Sequence, residues 1–256
     1  MREYSVSSIV KAAEILEYLK NHKASTFSQI QVNLGYAKSS TYQILKTLEN
    51  LHMVSVNQYG EYSLGYKLYE LGHAFGQNIG WRNIIAPYIR QIADETGLTV
   101  HVSILTSDYE GICIEKIPGK IFTMQLTEVG TPLQMHSSAS GKVLLAWQPP
   151  DIQAKILNTL TYQRFTEHTI TSKEALAAEL LTVRKNGYAY DDQESEEVCR
   201  GVAAPLFACD GSFLAGVSIG APTILMAQDQ MSYYATVLQT YLSKISPLLN
   251  PNQSEI

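Results

Sequence analysis

Gly216-Val217-Ser218-Ile219-Gly220 matches the G-x-S-x-G pattern of a serine nucleophile. That chemistry needs the serine on a strand-to-helix elbow and a histidine later in the chain. The last histidine is His168, upstream of Ser218, and Ala221-Pro222 follows where a helix would have to begin. The segment therefore reads as a strand whose glycines let a ligand or neighbour come close. A small-molecule hydrolase using Ser218 is the alternative. Gly141-Lys142 invites a phosphate-loop reading, but His136 stands five residues before Gly141 where glycine is required, and Val143 replaces Ser or Thr. Asp191, Asp192, Glu194, Glu196 and Glu197 form an acidic run near Cys199 with no histidine nearby, so a solvated loop is expected rather than a metal site. His101, His136 and Cys113 stand alone and are expected in core or polar-network positions. No cofactor is expected.

The elements that must position these residues divide into two segments of different charge. The 256 residues are 45% hydrophobic and 17% charged, enough for a buried core in one large domain or two ordinary ones. The net charge of −5 argues against a basic nucleic-acid binder as a whole. Residues 1–75, however, carry seven Lys/Arg against six Asp/Glu, whereas residues 76–256 carry twelve against eighteen. A small DNA-reading module would be hidden by the average. Three cysteines without a C-x-x-C pair give neither a disulfide framework nor a structural zinc site. The apolar run Val143–Trp147 is far short of a membrane span, and the N-terminus lacks the apolar core of a secretory signal. A soluble, cytoplasmic protein without membrane contact is expected.

Within residues 1–75, Ile9, Ala12, Ala13, Leu16 and Leu19 recur at helical spacing behind Ser7 or Ser8 as N-cap. Phe27, Ile30 and Leu34 predict a short second helix capped by Ser25 or Thr26, and Gly35 marks a tight turn. A third helix, capped by Ser39 or Ser40, carries the stripe Ile44, Leu45, Leu48 and Leu51. Val54 and Val56, then Asn57–Glu61, then Tyr62 and Leu64 read as a β-hairpin. Three helices and a hairpin make a winged helix-turn-helix. The third helix then offers Lys38, Ser39, Ser40, Thr41, Tyr42, Gln43 and Lys46 to DNA. Hydroxyls and helix-start amides suit phosphate oxygens, and Gln43 suits an adenine edge. A module that contacts protein instead is the alternative.

Residues 76–256 follow a connecting helix over 65–75 with Leu68, Leu71 and Phe75 on one face. Helices are expected over 83–96, 141–147, 152–160, 173–186 and 228–248, and strands over 100–105, 112–117, 122–126, 202–207 and 213–219. Asp210-Gly211 marks a hairpin between the last two strands. The pattern predicts an α+β domain with one helical layer over an antiparallel sheet.

Together these residues resemble the IclR family of bacterial transcriptional regulators across essentially the whole chain. The resemblance lies in KSSTYQILKTL at 38–48, GEYSLGYKLYELG at 60–72, HSSASGKVLLA at 136–146, RFTEHTITS at 164–172, GYAYDDQE at 187–194 and GVAAPLF at 201–207. The later blocks are most similar to the branch of sugar-acid catabolism repressors of the 2-keto-3-deoxygluconate type. The resemblance implies a winged helix-turn-helix that reads double-stranded DNA, a linker helix used in dimerisation, and a GAF/PAS-like effector domain with an antiparallel sheet. It implies a dimer or tetramer on a palindromic operator, answering a small organic or sugar acid. The effector residues it implies are Ala139, Ser140, Asp191, Gly201, Ser218 and Gly220. Ser218 would donate to a ligand oxygen, Asp191 would accept from a ligand hydroxyl, and the amides of Ala139 and Ser140 would hold a carboxylate.

Three positions depart from the family pattern. Gln43 stands where arginine is usual, which removes an arginine–guanine pairing. Val198 and Gly201 replace the glycine and cysteine of E-x-x-x-G-x-x-C after Glu194. The lost cysteine would enlarge the pocket toward ligands bulkier than the smallest 2-oxo acids. Cys199 is expected on the opposite face of its strand, unable to replace it.

Overall fold

The computed structural model describes residues 5–121 and 127–250, which fall into two compact units, Met1–Asn78 and Ile79–Ile256. In the first unit α1 (Ser7–Asn21), α2 (Phe27–Leu34) and α3 (Lys38–Asn50) pack around Ile15, Leu19, Ile30, Leu45 and Leu48. Thr26 caps α2 in a capping box: its hydroxyl accepts from Gln29 N at 3.4 Å, and Gln29 Oε1 accepts from Thr26 N at 2.7 Å. Gly35, at φ +68°, ends α2 in the left-handed conformation that favours glycine.

The other two serine caps are corrected. α1 opens behind Val6 and α3 behind Ala37, so Ser7, Ser8, Ser39 and Ser40 lie inside their helices. Ile9 and Leu51 also leave the expected core stripes, being 67% and 53% exposed. The hairpin forms as β2 (Val54–Val56) and β3 (Glu61–Leu64), its tip held by Asn57 Oδ1, which accepts from Tyr59 N and Glu61 N. Residues Ser25–Thr26 add a short β1 to β3, giving the order β1-β3-β2. Two residues carry no alternation, so β1 left no periodic signal. α4 (Tyr66–Asn78) ends the unit and buries none of its side chains.

The second unit opens with α5 (Gly80–Thr96), three residues earlier than predicted, which sets Trp81 in the core. Among the described residues five antiparallel strands follow: β4 (Thr99–Leu105), β5 (Gly111–Ile117), β6 (Ala189–Asp192), β7 (Cys199–Phe207) and β8 (Phe213–Pro222). Their order is β5-β4-β8-β7-β6. The strand predicted over 122–126 lies outside the described residues.

Helices cover both faces of this sheet, which corrects the single layer. α5 and α9 (Met231–Ile245) pack on Val100, Val102, Ile104, Val217 and Ile219. α6 (Ala139–Ala146), α7 (Pro150–Thr159) and α8 (Lys173–Asn186) form a second core on the other face, around Ala189 and Ala203. The physical reason is visible in β4, whose first six residues are all buried. A sheet buried on both faces needs two covers. Among the described residues, no helix is long and apolar enough to cross a membrane.

Candidate functional site

The first site is the outer face of α3. Thr41, Ile44, Leu45 and Leu48 point into the core, at the i, i+3, i+4, i+7 spacing of one helix face. That leaves Lys38, Ser39, Tyr42, Gln43 and Lys46 exposed and Ser40 half-buried. Thr41 is a correction. It is fully buried, and its hydroxyl donates to Ala37 O at 3.1 Å, so it supports the helix start and cannot reach DNA. Lys46 Nζ donates to Glu49 Oε2 at 2.7 Å, and that carboxylate raises its pKa and holds its charge.

The second site is a cavity of about 120 Å³ between the sheet and the start of α6. Strand register assembles its floor. One row runs His101, Ser218, Ala203 and Ala189, each directly opposite the next. The adjacent row runs Thr99, Gly220, Gly201 and Asp191. Positions two apart share a face, so both rows look the same way. All six effector residues implied by the resemblance, Ala139, Ser140, Asp191, Gly201, Ser218 and Gly220, line this cavity.

The start of α6 forms its roof. Ser138 Oγ accepts from Gly141 N at 3.0 Å, leaving the amides of Ala139 and Ser140 at the positive end of the helix. Gly141 is fixed by space, since a Cβ there would lie 2.5 Å from Met135 Cα. Gly201 is different. A Cβ there would meet Asp191 Cβ at 3.5 Å and Ala139 Cβ at 3.7 Å, ordinary contacts. Its missing side chain is therefore room left to the cavity.

The acidic run closes one side and is not the solvated loop predicted for it. Asp191, 6% exposed, accepts from Glu194 N at 2.8 Å, Ser195 N at 3.2 Å and the Ser195 hydroxyl. Burial raises its pKa even so. Asp192 accepts from Arg200 Nε at 2.6 Å, and Glu194 accepts from the buried Lys142 at 2.5 Å. Cys199 corrects the expected face. Two residues from Gly201, it must share that side of β7, and it lines the cavity with its thiol donating to Glu196 Oε2 at 3.5 Å. Burial pushes the thiol up to about 11.

Ser218 sits in the middle of β8, paired on both sides, far from the elbow a nucleophile needs. His136 fills the polar-network position predicted for it, its Nε2 2.8 Å from Gln163 O and its ring stacked on Phe165. Cys113 is fully buried, its thiol donating to Glu115 O. His101 and Ser103 line the cavity, a role that lone-residue reasoning missed. Their signal was alternation with Val100, Val102 and Ile104, which puts them together on the face opposite the α5 core.

A helix-turn-helix with a wing, followed by an α+β unit with a polar cavity, is the build of a ligand-sensing DNA-binding regulator. Residues 8–57 match the IclR helix-turn-helix domain, and residues 73–247 match the C-terminal domain of the bacterial transcriptional regulator IclR. The chain belongs to the IclR family of transcriptional regulators. It is 35% identical to the HTH-type transcriptional regulator KdgR of Escherichia coli over 94% of this chain and 92% of that one. Identity to XynR of the same organism is 32%, over 91% of this chain and 93% of XynR. The crystal structure of the Thermotoga maritima IclR matches with a TM-score of 0.75 and 31% identity, covering 94% of this chain and 97% of that one. These relatives are regulators and not enzymes, so the hydrolase reading of Ser218 is withdrawn.

Proposed function

We propose that this regulator represses a catabolic operon by binding a palindromic operator as a dimer or tetramer, and that a small carboxylate or sugar acid modulates that binding. One observation carries the reading: Ala139, Ser140, Asp191, Gly201, Ser218 and Gly220, drawn from four separate elements, line one cavity beneath a helix start. Helix-start amides favour an anion. The Ser218 hydroxyl and the Gly201 gap supply a donor and room beside them. Self-association is supported by α4, which leaves Leu71 and Phe75 exposed, and by α1 and the residue before it, which leave Ile9, Val10 and Val6 exposed.

A thermal-shift screen of sugar acids and aromatic acids tests the effector reading. A ligand at one hundred times its Kd stabilises by about 2.7 kcal/mol, which raises the melting temperature by roughly 5–10 °C for a chain of this size. Ser218→Ala and Asp191→Ala are each expected to remove the shift while operator binding persists. A shift that survives both substitutions sinks the pocket assignment.

The operator face makes a separate prediction. Gln43→Ala is expected to cost about 1–3 kcal/mol on the operator and little on scrambled DNA. Lys46→Ala is expected to weaken both alike and to reduce the salt slope by about one per half-site. Gel-shift titrations at several salt concentrations separate the two. Equal losses on both DNAs for Gln43→Ala would contradict base reading.

A further inference from the structure

The polar groups around the cavity are unequally committed. Asp191 is bonded to Glu194 and Ser195, Arg200 to Asp192, Gln193 and Met226 O, and Cys199 to Glu196. Two groups differ. His101 Nε2 and Ser103 Oγ are buried without a hydrogen-bond partner among the described residues. His101 is 5% exposed and Ser103 fully buried, and both face the cavity. A buried polar atom left unpaired destabilises the protein, so each of these atoms has a use for a ligand group.

The chemistry of that group follows from the imidazole. Burial lowers the His101 pKa to about 4, helped by Lys116 directly opposite on β5 and opposed by Glu128, the ion-pair partner of Lys116. The ring is neutral at pH 7. The Thr127 backbone holds the ring's other nitrogen up in pKa, as a carbonyl acceptor does, and Nε2 is the unpaired nitrogen, so the proton is assigned to Nδ1. Nε2 then presents a lone pair to the cavity. A lone pair accepts from an O–H and repels a carboxylate oxygen. Ser103 Oγ, one position further along the same face of β4, can donate or accept.

We propose that His101 Nε2 and Ser103 Oγ form a second polar subsite of this cavity, which takes a hydroxyl of the effector and selects hydroxylated acids over their deoxy counterparts. The proposal rests on reading the cavity as the effector site. The carboxylate lies at the start of α6 and the hydroxyl lies over β4, so the two ends of the ligand are told apart. A ligand without the hydroxyl leaves both atoms without a partner among the described residues in the complex as well.

Calorimetric titration of the full chain at pH 7.5 with two matched pairs of acids tests this: D-glycerate against propanoate, and D-gluconate against hexanoate. In at least one pair the hydroxylated acid is expected to bind about tenfold or more tightly. His101→Phe and Ser103→Ala are each expected to shrink that gap to about twofold while the deoxy acid keeps its affinity. Ser103→Ala removes one oxygen only, so it remains informative should the larger change disturb folding. Deoxy acids that bind the wild-type chain as well as their partners overturn the subsite alone, as does a gap that survives both substitutions. If none of the four acids binds the wild-type chain, the carboxylate-effector reading fails and takes the subsite with it.

Discussion

Replacing Leu71 and Phe75 together by glutamate is expected to weaken operator binding by about a thousandfold, because two linked reading heads gain roughly 10²–10⁴ in avidity over one. The two positions are four residues apart on α4 and so lie on one face. No side chain of that helix is buried, and Leu71 and Phe75 are 47% and 49% exposed. A single head has little else to hold DNA with, since residues 1–75 have a net charge of only +1. Glutamates on the shared face would put charge into the proposed contact between copies. If the proposed pairing holds, sedimentation should report a paired wild-type chain and a monomeric variant. The fold of each chain should be untouched, because neither side chain contributes to its core. Unchanged assembly and operator affinity within about twofold would remove α4 from the proposed interface.

At Lys142 the large effect is expected in stability. Its side chain is 1% exposed, with Nζ 2.5 Å from Glu194 Oε1 and 3.8 Å from Glu179 Oε1. Lys142→Met would leave the Glu194 carboxylate buried without its cation, at a cost of about 3–5 kcal/mol at pH 8. The pH dependence has a definite sign. Burial pushes Glu194 up to about 7 from its ordinary 4.5, although Lys142 pulls the other way. A carboxyl with a raised folded pKa favours the folded state when protonated, so its burial penalty fades as pH falls below 7. The loss in Lys142→Met should therefore be much smaller at pH 5.5 than at pH 8. His101 acts oppositely, its folded pKa of about 4 costing stability as pH falls below 6.5, but it is common to both chains and cancels in the difference. Urea unfolding at the two pH values measures the effect. An equal loss at both would mean that the cost is lost packing and not an unpaired charge.

What could be read in advance follows the range of each interaction. The winged helix-turn-helix was legible because its signals are local: the stripe Ile44, Leu45 and Leu48, the Thr26 cap, and the Asn57–Gly60 turn. The family resemblance implies Gly201, Ser218 and Asp191, and the register of β6, β7 and β8 sets them side by side. Two departures from the expected faces are matters of periodicity. Thr41 continues the apolar stripe back by one turn, and Cys199 shares the parity of Gly201 on its strand. His101 was missed because a single histidine in an apolar strand carries no information until its strand has a buried polar face. The bond from Lys142 to Glu194 spans 52 positions, and no local pattern encodes it. The second helical layer was hidden for a related reason. It depends on which strands lie at the centre of the sheet, a property of topology that a linear pattern leaves open.

The helix that roofs the cavity also ends in an indole. Trp147 follows the last turn of α6, with Phe207 and Phe213 at centroid distances of 5.9 and 6.2 Å. Eight residues of helix are only about 12 Å long, so a small rotation at the cavity end is carried rigidly to the ring. The chain's other tryptophan, Trp81, is fully buried in the core on the opposite face of the sheet. Excited by ultraviolet light, the protein thus carries one fluorophore coupled to the roof of its pocket and one held apart as a steady background. A ligand in the cavity is therefore expected to change the Trp147 emission, which a fluorescence titration of the unlabelled chain checks.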